Sequence, residues 1–178
     1  MNRILCLFLG ISFLLMSCQK SDTGYQTSGY TPPVIKGFVW RDEGGMTLRN
    51  IGNPDVLLDY SLSNSYPANY MELSSFPNPS SGIMVIYFHP FNDAIKTRLW
   101  IVPATFPGSG SELITFSGAT FSPGQHTLLD TLVEQSHSDV IQEFQLRDLP
   151  EGYYRIYMKA NDILLWDNIV FSKSFNQN

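Results

Sequence analysis

The sequence predicts an all-β protein, and three observations carry this prediction. Aromatic residues make up 13% of the chain and charged residues 15%, with 13 glycines and 11 prolines, a composition that favours short strands and tight turns over helices. Residues Tyr153–Lys159 alternate with a period of two, so that every second side chain faces one apolar side of a strand. Asn161-Asp162 then supplies a hairpin turn, because both residues tolerate positive φ, and residues 163–171 return as the last strand.

Further strands are indicated by apolar runs between turn residues. Residues 83–88 form an unbroken apolar run, which predicts a strand covered on both faces. Residues 98–102 predict a second strand and residues 112–116 a weaker third. Before residue 76 the assignment stays open, with candidate strands at 34–40, 46–51 and 56–62 around a candidate turn at 42–45.

One stretch, residues 127–146, allows two interpretations. Apolar residues recur there at multiples of four, as an amphipathic helix requires. The alternative is a pair of strands, 127–133 and 140–146, joined by a polar turn. The alternation of apolar and polar residues at 144–147 favours the strands, which we predict.

The N terminus resembles the signal peptide of bacterial lipoproteins. One basic residue, Arg3, precedes an apolar run over 4–16, which is shorter than the roughly 20 residues that a membrane-spanning helix needs. Leu15-Met16-Ser17-Cys18 then resembles the lipobox of that family, in which small residues precede an obligatory cysteine. The resemblance implies cleavage after Ser17, a diacylglycerol on the thiol of Cys18, and anchoring at the outer membrane by acyl chains.

Cysteine use and charge agree with an exported lipoprotein. Cys6 would leave with the signal peptide, so that Cys18 would stay as a lone thiol in an oxidising compartment unless it carries lipid. Without Arg3 the mature chain keeps 10 of its 11 basic residues against 16 acidic ones, a net charge of 10 − 16 = −6. This charge argues against a nucleic-acid partner. The polar, turn-rich residues 19–33 are expected to form a flexible tether.

Two motifs resemble the C-terminal sorting domain of type IX secretion cargo from Bacteroidetes. Phe76-Pro77-Asn78-Pro79-Ser80-Ser81-Gly82, followed by an apolar strand, resembles the opening of that domain. The segment Leu146-Arg147-Asp148-Leu149-Pro150-Glu151-Gly152-Tyr153-Tyr154-Arg155-Ile156-Tyr157 resembles its "DLPxGxY" turn and strand, and the final strand up to Lys173 is also similar. The resemblance covers residues 76–174 and implies an immunoglobulin-like antiparallel β-sandwich.

The resemblance completes a division of the chain into four parts. They are a signal peptide (1–17), the lipidated cysteine and tether (18–33), N-terminal strands of uncertain assignment (34–75) and the β-sandwich (76–178). The prolines of the first motif are expected to give a rigid lead-in that resists pairing at a sheet edge. The second motif is expected to reverse the chain so that Tyr154 enters the core.

No pattern in the sequence indicates an active site. His89, His126 and His137 form no HExxH motif and no pair at metal-ligand spacing. Ser109 lacks the G-x-S-x-G context of a nucleophile elbow. His137-Ser138-Asp139 contains the residue types of a catalytic triad but is predicted to be a surface turn. We therefore expect no enzyme, no cofactor and no metal.

Aromatic residues are the remaining candidates for binding. Trp40, Trp100 and Trp166 are predicted to fill the core, with a stacking platform for sugar or protein as the alternative. Tyr153 and Tyr157 share the outer face of the 153–159 strand, where they form either a binding surface or part of the packing.

The sequence thus predicts a non-catalytic outer-membrane lipoprotein that acts through protein–protein contact, as an accessory of an envelope secretion or assembly machine. The alternatives are a glycan-binding surface lipoprotein and a type IX secretion cargo protein. Surface-exported lipoproteins of Bacteroidetes tend to carry an acidic cluster soon after the lipidated cysteine, whereas Gln19-Lys20-Ser21-Asp22 contains one acid. By this resemblance we expect the periplasmic face of the membrane rather than the cell surface.

Overall fold

The computed structural model describes residues 31–61, 70–89, 96–107, 114, 116, 129–134 and 139–175, with the backbone alone at 129–134. Within these residues it contains ten β-strands and no helix, which confirms the all-β prediction. The strands are β1 (Gly37–Arg41), β2 (Thr47–Gly52), β3 (Asp59–Ser61), β4 (Tyr70–Phe76), β5 (Ile83–His89), β6 (Lys96–Ala104), β7 (Leu129–Glu134), β8 (Val140–Gln145), β9 (Gly152–Ala160) and β10 (Ile163–Phe171).

Two four-stranded antiparallel sheets form a β-sandwich. One sheet has the strand order β3-β4-β5-β8 and the other the order β10-β9-β6-β7. Inward side chains of both sheets share one apolar core, whose largest fully buried members include Tyr154, Phe88 and Phe171. Burying such a side chain contributes about 1.5–3 kcal/mol relative to leaving it exposed. With β4, β5 and β8 in one sheet and β10, β9, β6 and β7 in the other, the strand order is that of an immunoglobulin-like sandwich.

Most strand predictions are confirmed in the described part of the chain. β9 and β10 pair without a register shift, and Asn161 in the turn between them has a φ of 52°. β7 and β8 confirm two strands in 127–146 and exclude the helix. The turn at 42–45 joins β1 to β2. The strand predicted at 112–116 lies outside the described residues except at two positions, neither of which is in a strand.

The packing corrects two predictions: the residue at which the sandwich begins, and the number of faces of the 83–88 strand that are buried. β3 and β4 extend the sheet that contains β5, and Met71 and Leu73 are fully buried in the shared core. The sandwich therefore begins before residue 76. The run 83–88 is covered on one face only, because its alternate residues point away from the core, and Ile83 is 41% exposed.

A second, smaller apolar cluster lies on the outer face of the sheet β10-β9-β6-β7. The hairpin β1–β2 packs against β10 there and covers one end of that sheet. The cluster combines residues of the hairpin region with residues of β6, β9 and β10, namely Ile35, Phe38, Ile51, Ala104, Tyr153 and Val170.

The segment 77–82 pairs with both β1 and β10. Asn78 exchanges backbone hydrogen bonds with Arg41 at 2.9 and 3.0 Å, and the Ser80 N–H donates to the carbonyl of Val170 at 2.9 Å. The fully buried side-chain amide of Asn78 donates to two further backbone carbonyls at 2.8 Å. The expectation that the two prolines keep this segment from pairing is therefore wrong, since Asn78 and Ser80, which each follow a proline, retain the N–H groups that proline lacks.

A buried ion pair joins the hairpin to the sandwich. Arg41 of β1 is 3% exposed and Asp167 of β10 is 0% exposed, and Arg41 Nη1 lies 2.8 Å from Asp167 Oδ2. The guanidinium also donates to the carbonyl of Ser75 in β4 at 3.2 Å, and the Ser75 N–H donates to Asp167 at 3.2 Å. The pair therefore contacts one strand from each of the three sheets.

Residues 146–154 form the corner at which the chain crosses from β8 to β9. Tyr154 is fully buried, as predicted, and its hydroxyl donates a hydrogen bond to the carbonyl of Pro150. A tyrosine near the start of this strand that bonds back to the preceding chain is the tyrosine corner of immunoglobulin-like sandwiches. Burial raises the pKa of Tyr154 well above its ordinary value, so that its hydroxyl stays a donor.

Replacing Tyr154 with phenylalanine keeps the ring and removes the corner hydrogen bond. We expect the free energy of unfolding to fall by about 1–2 kcal/mol, because the bond is lost and a carbonyl is left without it. Urea denaturation followed by tryptophan fluorescence measures the change. Tyr157→Phe, on the opposite face of β9, is the control and should cost less than about 0.5 kcal/mol. Equal stability of the two variants would contradict this role of Tyr154.

Candidate functional site

Three aromatic side chains form a row across the outer face of the sheet β10-β9-β6-β7. Trp166 lies opposite Tyr157 in the register of β10 and β9, and Tyr157 lies opposite Trp100 in the register of β9 and β6. All three are half-buried. The rings of Trp100 and Tyr157 stack with 5.1 Å between their centroids and 18° between their planes. We call Trp166, Tyr157 and Trp100 the aromatic row.

Two exposed basic residues border the aromatic row. Arg98 and Lys159 are direct cross-strand partners on β6 and β9, two residues along each strand from Trp100 and Tyr157. The guanidinium carbon of Arg98 lies 5.4 Å from the centroid of the Trp100 ring, in a cation–π contact. The Trp100 ring therefore contacts both an aromatic ring and a cation.

A polar cluster holds one end of the row in place. The Trp166 indole N–H donates to the carbonyl of Asp55 at 2.7 Å, and Arg155 Nη2 lies 2.6 Å from Asp55 Oδ2. Burial alone would raise the pKa of Asp55, but hydrogen bonds from the Lys36 N–H, Arg155 and Asn168 outweigh it and lower the pKa below its ordinary value. The carboxylate therefore stays charged and positions the chain beside Trp166.

The structure separates the two tyrosines that the sequence places on one outer face. Tyr157 belongs to the aromatic row, whereas Tyr153 is only 7% exposed in the second apolar cluster. The Tyr153 hydroxyl accepts a hydrogen bond from the Ile114 N–H at 3.1 Å, and its ring packs against Phe106 and Phe116. Burial also raises the pKa of Tyr153. Tyr153 is therefore a packing residue, and its assignment to a binding surface is corrected.

The three tryptophans are half-buried, so the prediction that they fill the core is wrong. Trp100 and Trp166 belong to the aromatic row. Trp40 lies at the margin of the second cluster, where Arg49 is 4.4 Å above its ring and the ring of Phe175 is 5.1 Å away. Of the three tryptophans that could form a stacking platform, Trp100 and Trp166 therefore lie beside Tyr157, and Trp40 does not.

Aromatic and acidic side chains also meet on the outer face of the opposite sheet, β3-β4-β5-β8. Tyr70 stacks on His89 with 4.3 Å between ring centroids, and His89 Nδ1 lies 2.5 Å from Asp139 Oδ1. Burial, together with the carboxylates of Asp139 and Glu72, raises the pKa of Tyr87 to about 12. Tyr87 is therefore neutral at physiological pH.

The outer surface of β3, β4, β5 and β8 is acidic, and sequence reasoning missed it. These four strands contain Asp59, Glu72 and Glu143 but no lysine or arginine, and Asp139 directly precedes β8. Arg147, which follows β8, lies beside Ile83 and Val85 at one end of this surface. The signal was present in the sequence, since residues 51–95 contain no lysine or arginine at all. We call this outer surface the acidic face.

Several candidates for chemistry and anchoring lie outside the described residues, among them Cys18, Ser109, His126 and His137. Lipid attachment at Cys18 accordingly stays a prediction. Among the described residues, the polar partner of the His89 ring is Asp139, and no hydroxyl or thiol is hydrogen-bonded to that ring. The described residues also contain no cluster of three or more side chains suited to hold a metal ion.

No protein-family model matches this chain, and no curated protein or solved structure matches it either. In the described parts of the chain, no helix is both long enough and apolar enough to span a membrane. The function must therefore be inferred from the geometry of the sandwich.

Proposed function

We propose that this protein is a non-catalytic lipoprotein, anchored at the outer membrane through Cys18, whose sandwich binds a protein partner through the aromatic row. The observation that carries the proposal is the alignment of Trp166, Tyr157 and Trp100 across three strands beside Arg98. Tryptophan, tyrosine and arginine are the residue types that most often dominate the binding energy of protein interfaces. A half-buried row is held in position before binding, so that less side-chain entropy is lost.

Stacking within the row favours a protein partner over a glycan. A sugar platform needs the face of an aromatic ring to be open, but the Trp100 ring already stacks on Tyr157 and lies under Arg98. A sugar ring would have to displace one of these contacts. A protein surface instead packs against the edges of the rings and leaves both of these contacts in place.

The contacts of the two sorting-domain-like motifs favour an accessory lipoprotein over a secreted cargo protein. The Leu146 N–H donates to the carbonyl of Gly82 at 2.7 Å, which places the motifs side by side. Their distinctive side chains, Asn78 and Tyr154, are fully buried. Residues buried in this way stabilise the sandwich and offer no surface for recognition. The motifs therefore support the fold, and we propose a role beside an envelope secretion or assembly machine.

Affinity capture from detergent-solubilised membranes of the producing cells tests this function. The tagged full chain is cross-linked in the cells and purified, and proteins that accompany it are identified by mass spectrometry. We expect one or a few specific partners. Trp100→Ala with Tyr157→Ala should weaken their binding by about 2 kcal/mol or more, which is roughly thirtyfold in affinity.

The matched control is Trp40→Ala, which removes a half-buried tryptophan outside the aromatic row. Thermal unfolding monitors whether each variant stays folded. Capture that is lost in the row variant and kept in the Trp40 variant supports the proposal. Recovery of no specific protein, or equal loss in both folded variants, would rule it out.

A further inference from the structure

We propose that a cleft at one end of the acidic face binds a short zwitterionic peptide with an apolar side chain. The cleft has a volume of about 350 Å³ and lies where the β1–β2 turn, the segment 77–82, β5 and the corner after β8 meet. Ligand sites usually measure roughly 300–1,000 Å³, so this cleft suits a ligand of about two amino-acid residues. It lies on the sheet opposite the aromatic row and therefore goes beyond the proposed function.

Arg147 supplies the cation of the cleft, and the segment 77–82 fixes its position. The N–H of the preceding residue, Leu146, donates to the carbonyl of Gly82 at 2.7 Å, and the Leu149 N–H closes a turn onto the carbonyl of Leu146 at 2.9 Å. The Arg147 side chain lies over Gly82, since a Cβ atom at that glycine would be 3.0 Å from Nε of Arg147 and 3.4 Å from its Cγ. Because glycine lacks a Cβ atom, the guanidinium group can lie close to this wall of the cleft.

Glu43 supplies an anion from a second element. It lies in the β1–β2 turn, where the carboxylate of Asp42 accepts hydrogen bonds from the N–H groups of Gly44 at 3.0 Å and Met46 at 2.8 Å. Glu43 and Arg147 are both exposed and line the same cleft. No ion pair among the described residues includes either of them. The cleft therefore presents two opposite charges, each held by the backbone of its own element and not neutralised by the other.

The surrounding charges favour a ligand with both signs over a simple anion. Asp148 follows Arg147 in the chain. Glu143 lies opposite Val85, a residue of the cleft, in the register of β8 and β5. Together with Glu43, these carboxylates would repel a ligand that carries only negative charge. A zwitterion has no net charge, so its carboxylate can accept the paired N–H groups of the guanidinium while its ammonium group faces Glu43.

Three apolar residues line the cleft beside these charges. Ile83 is 41% exposed, and Pro77 and Val85 are half-buried. Contact with an apolar side chain of the ligand would remove this surface from water, which stabilises binding. The cleft therefore favours a peptide that contains a residue such as leucine over a peptide of polar residues.

Titration of the isotope-labelled full chain in detergent with four forms of alanyl-leucine tests the proposal. The forms are the zwitterion, its N-acetyl derivative, its C-terminal amide and the dipeptide blocked at both ends. NMR shifts of the Arg147 Nε–H and of the backbone N–H groups of Gly82 and Ile83 report binding at this cleft. We expect the zwitterion to bind most tightly and each singly blocked form about fivefold more weakly, because each loses one charge-assisted hydrogen bond.

Two charge-neutralising variants assign each end of the ligand to one residue. Arg147→Gln should bind the zwitterion about fivefold more weakly and should no longer distinguish the free carboxylate from its amide. Glu43→Gln should instead lose the distinction between the free and the acetylated amino end. Arg49→Gln and Asp162→Asn neutralise exposed charges outside the cleft and should leave all four affinities unchanged.

The proposal is overturned if no form of the dipeptide gives saturable shifts at this cleft, or if the doubly blocked form binds as tightly as the zwitterion. It is also overturned if either cleft variant keeps the preference that it is expected to lose. These failures are distinct from failure of the proposed function, because the capture of a protein partner through the aromatic row does not depend on the cleft.

Discussion

Replacing Arg41 with methionine is expected to lower the free energy of unfolding by about 3–5 kcal/mol. Methionine keeps much of the apolar volume but leaves Asp167 charged, fully buried and without its counter-ion at 2.8 Å. The carbonyl of Ser75 also loses a donor. Since these residues belong to three different sheets, we expect the hairpin β1–β2 to loosen from the sandwich as well. Urea denaturation followed by tryptophan fluorescence measures the loss.

Two further variants separate the buried charge from general effects of the substitution. Arg49→Met removes an exposed arginine from β2 in the same hairpin and should cost less than about 1 kcal/mol. Asp167→Asn combined with Arg41→Met should be more stable than Arg41→Met alone, because no uncompensated charge then remains buried. If Arg41→Met costs no more than Arg49→Met, the ion pair does not fasten the hairpin.

The stability of the Arg41→Met variant should also depend on pH in a defined direction. Burial raises the pKa of Asp167 above 3.8, and Arg41 opposes this rise. Without Arg41 the pKa rises further. When the pKa of a carboxyl group is higher in the folded state than in the unfolded state, the folded protein loses stability as pH rises from the lower to the higher of these two pKa values. The difference in the free energy of unfolding between the wild type and the variant should therefore be largest at neutral pH and shrink as pH falls towards 4.

Replacing Cys18 with serine is expected to abolish lipid attachment and move the chain from the membrane fraction to the soluble fraction. The thiol is the attachment point that the lipobox resemblance implies, and a serine hydroxyl cannot replace it. Each buried methylene contributes about 0.8 kcal/mol to anchoring, so loss of two or more acyl chains removes nearly all of the membrane affinity. Labelling with a radioactive fatty acid and fractionation of cell membranes measure the change.

Cys6→Ser is the matched control, because it removes the other cysteine of the chain. It should leave both the fatty-acid label and the membrane association intact. An inhibitor of the lipoprotein signal peptidase should make the uncleaved precursor of the wild-type chain accumulate. A Cys18→Ser chain that still carries label and stays with the membrane would disprove the anchor.

Local patterns in the sequence determined the strands and the direction of many side chains. The last strand was predicted at 163–171 and is observed there, and Asn161 takes the positive φ that the predicted hairpin needs. Tyr154 was predicted to face the core and is fully buried. These features follow from the period of two along one strand and from the turn residues beside it, both of which are local properties.

Tertiary structure alone decided what covers each face and which strands are neighbours. Tyr153 and Tyr157 point to the same side of β9, yet the second apolar cluster buries Tyr153 and leaves Tyr157 in the aromatic row. Alternation assigns a residue to a face but says nothing about the layer packed on it. The row itself joins residues 100, 157 and 166, and the buried pair joins Arg41 to Asp167. Contacts between residues so far apart depend on strand order and register, which the pattern of one strand does not contain.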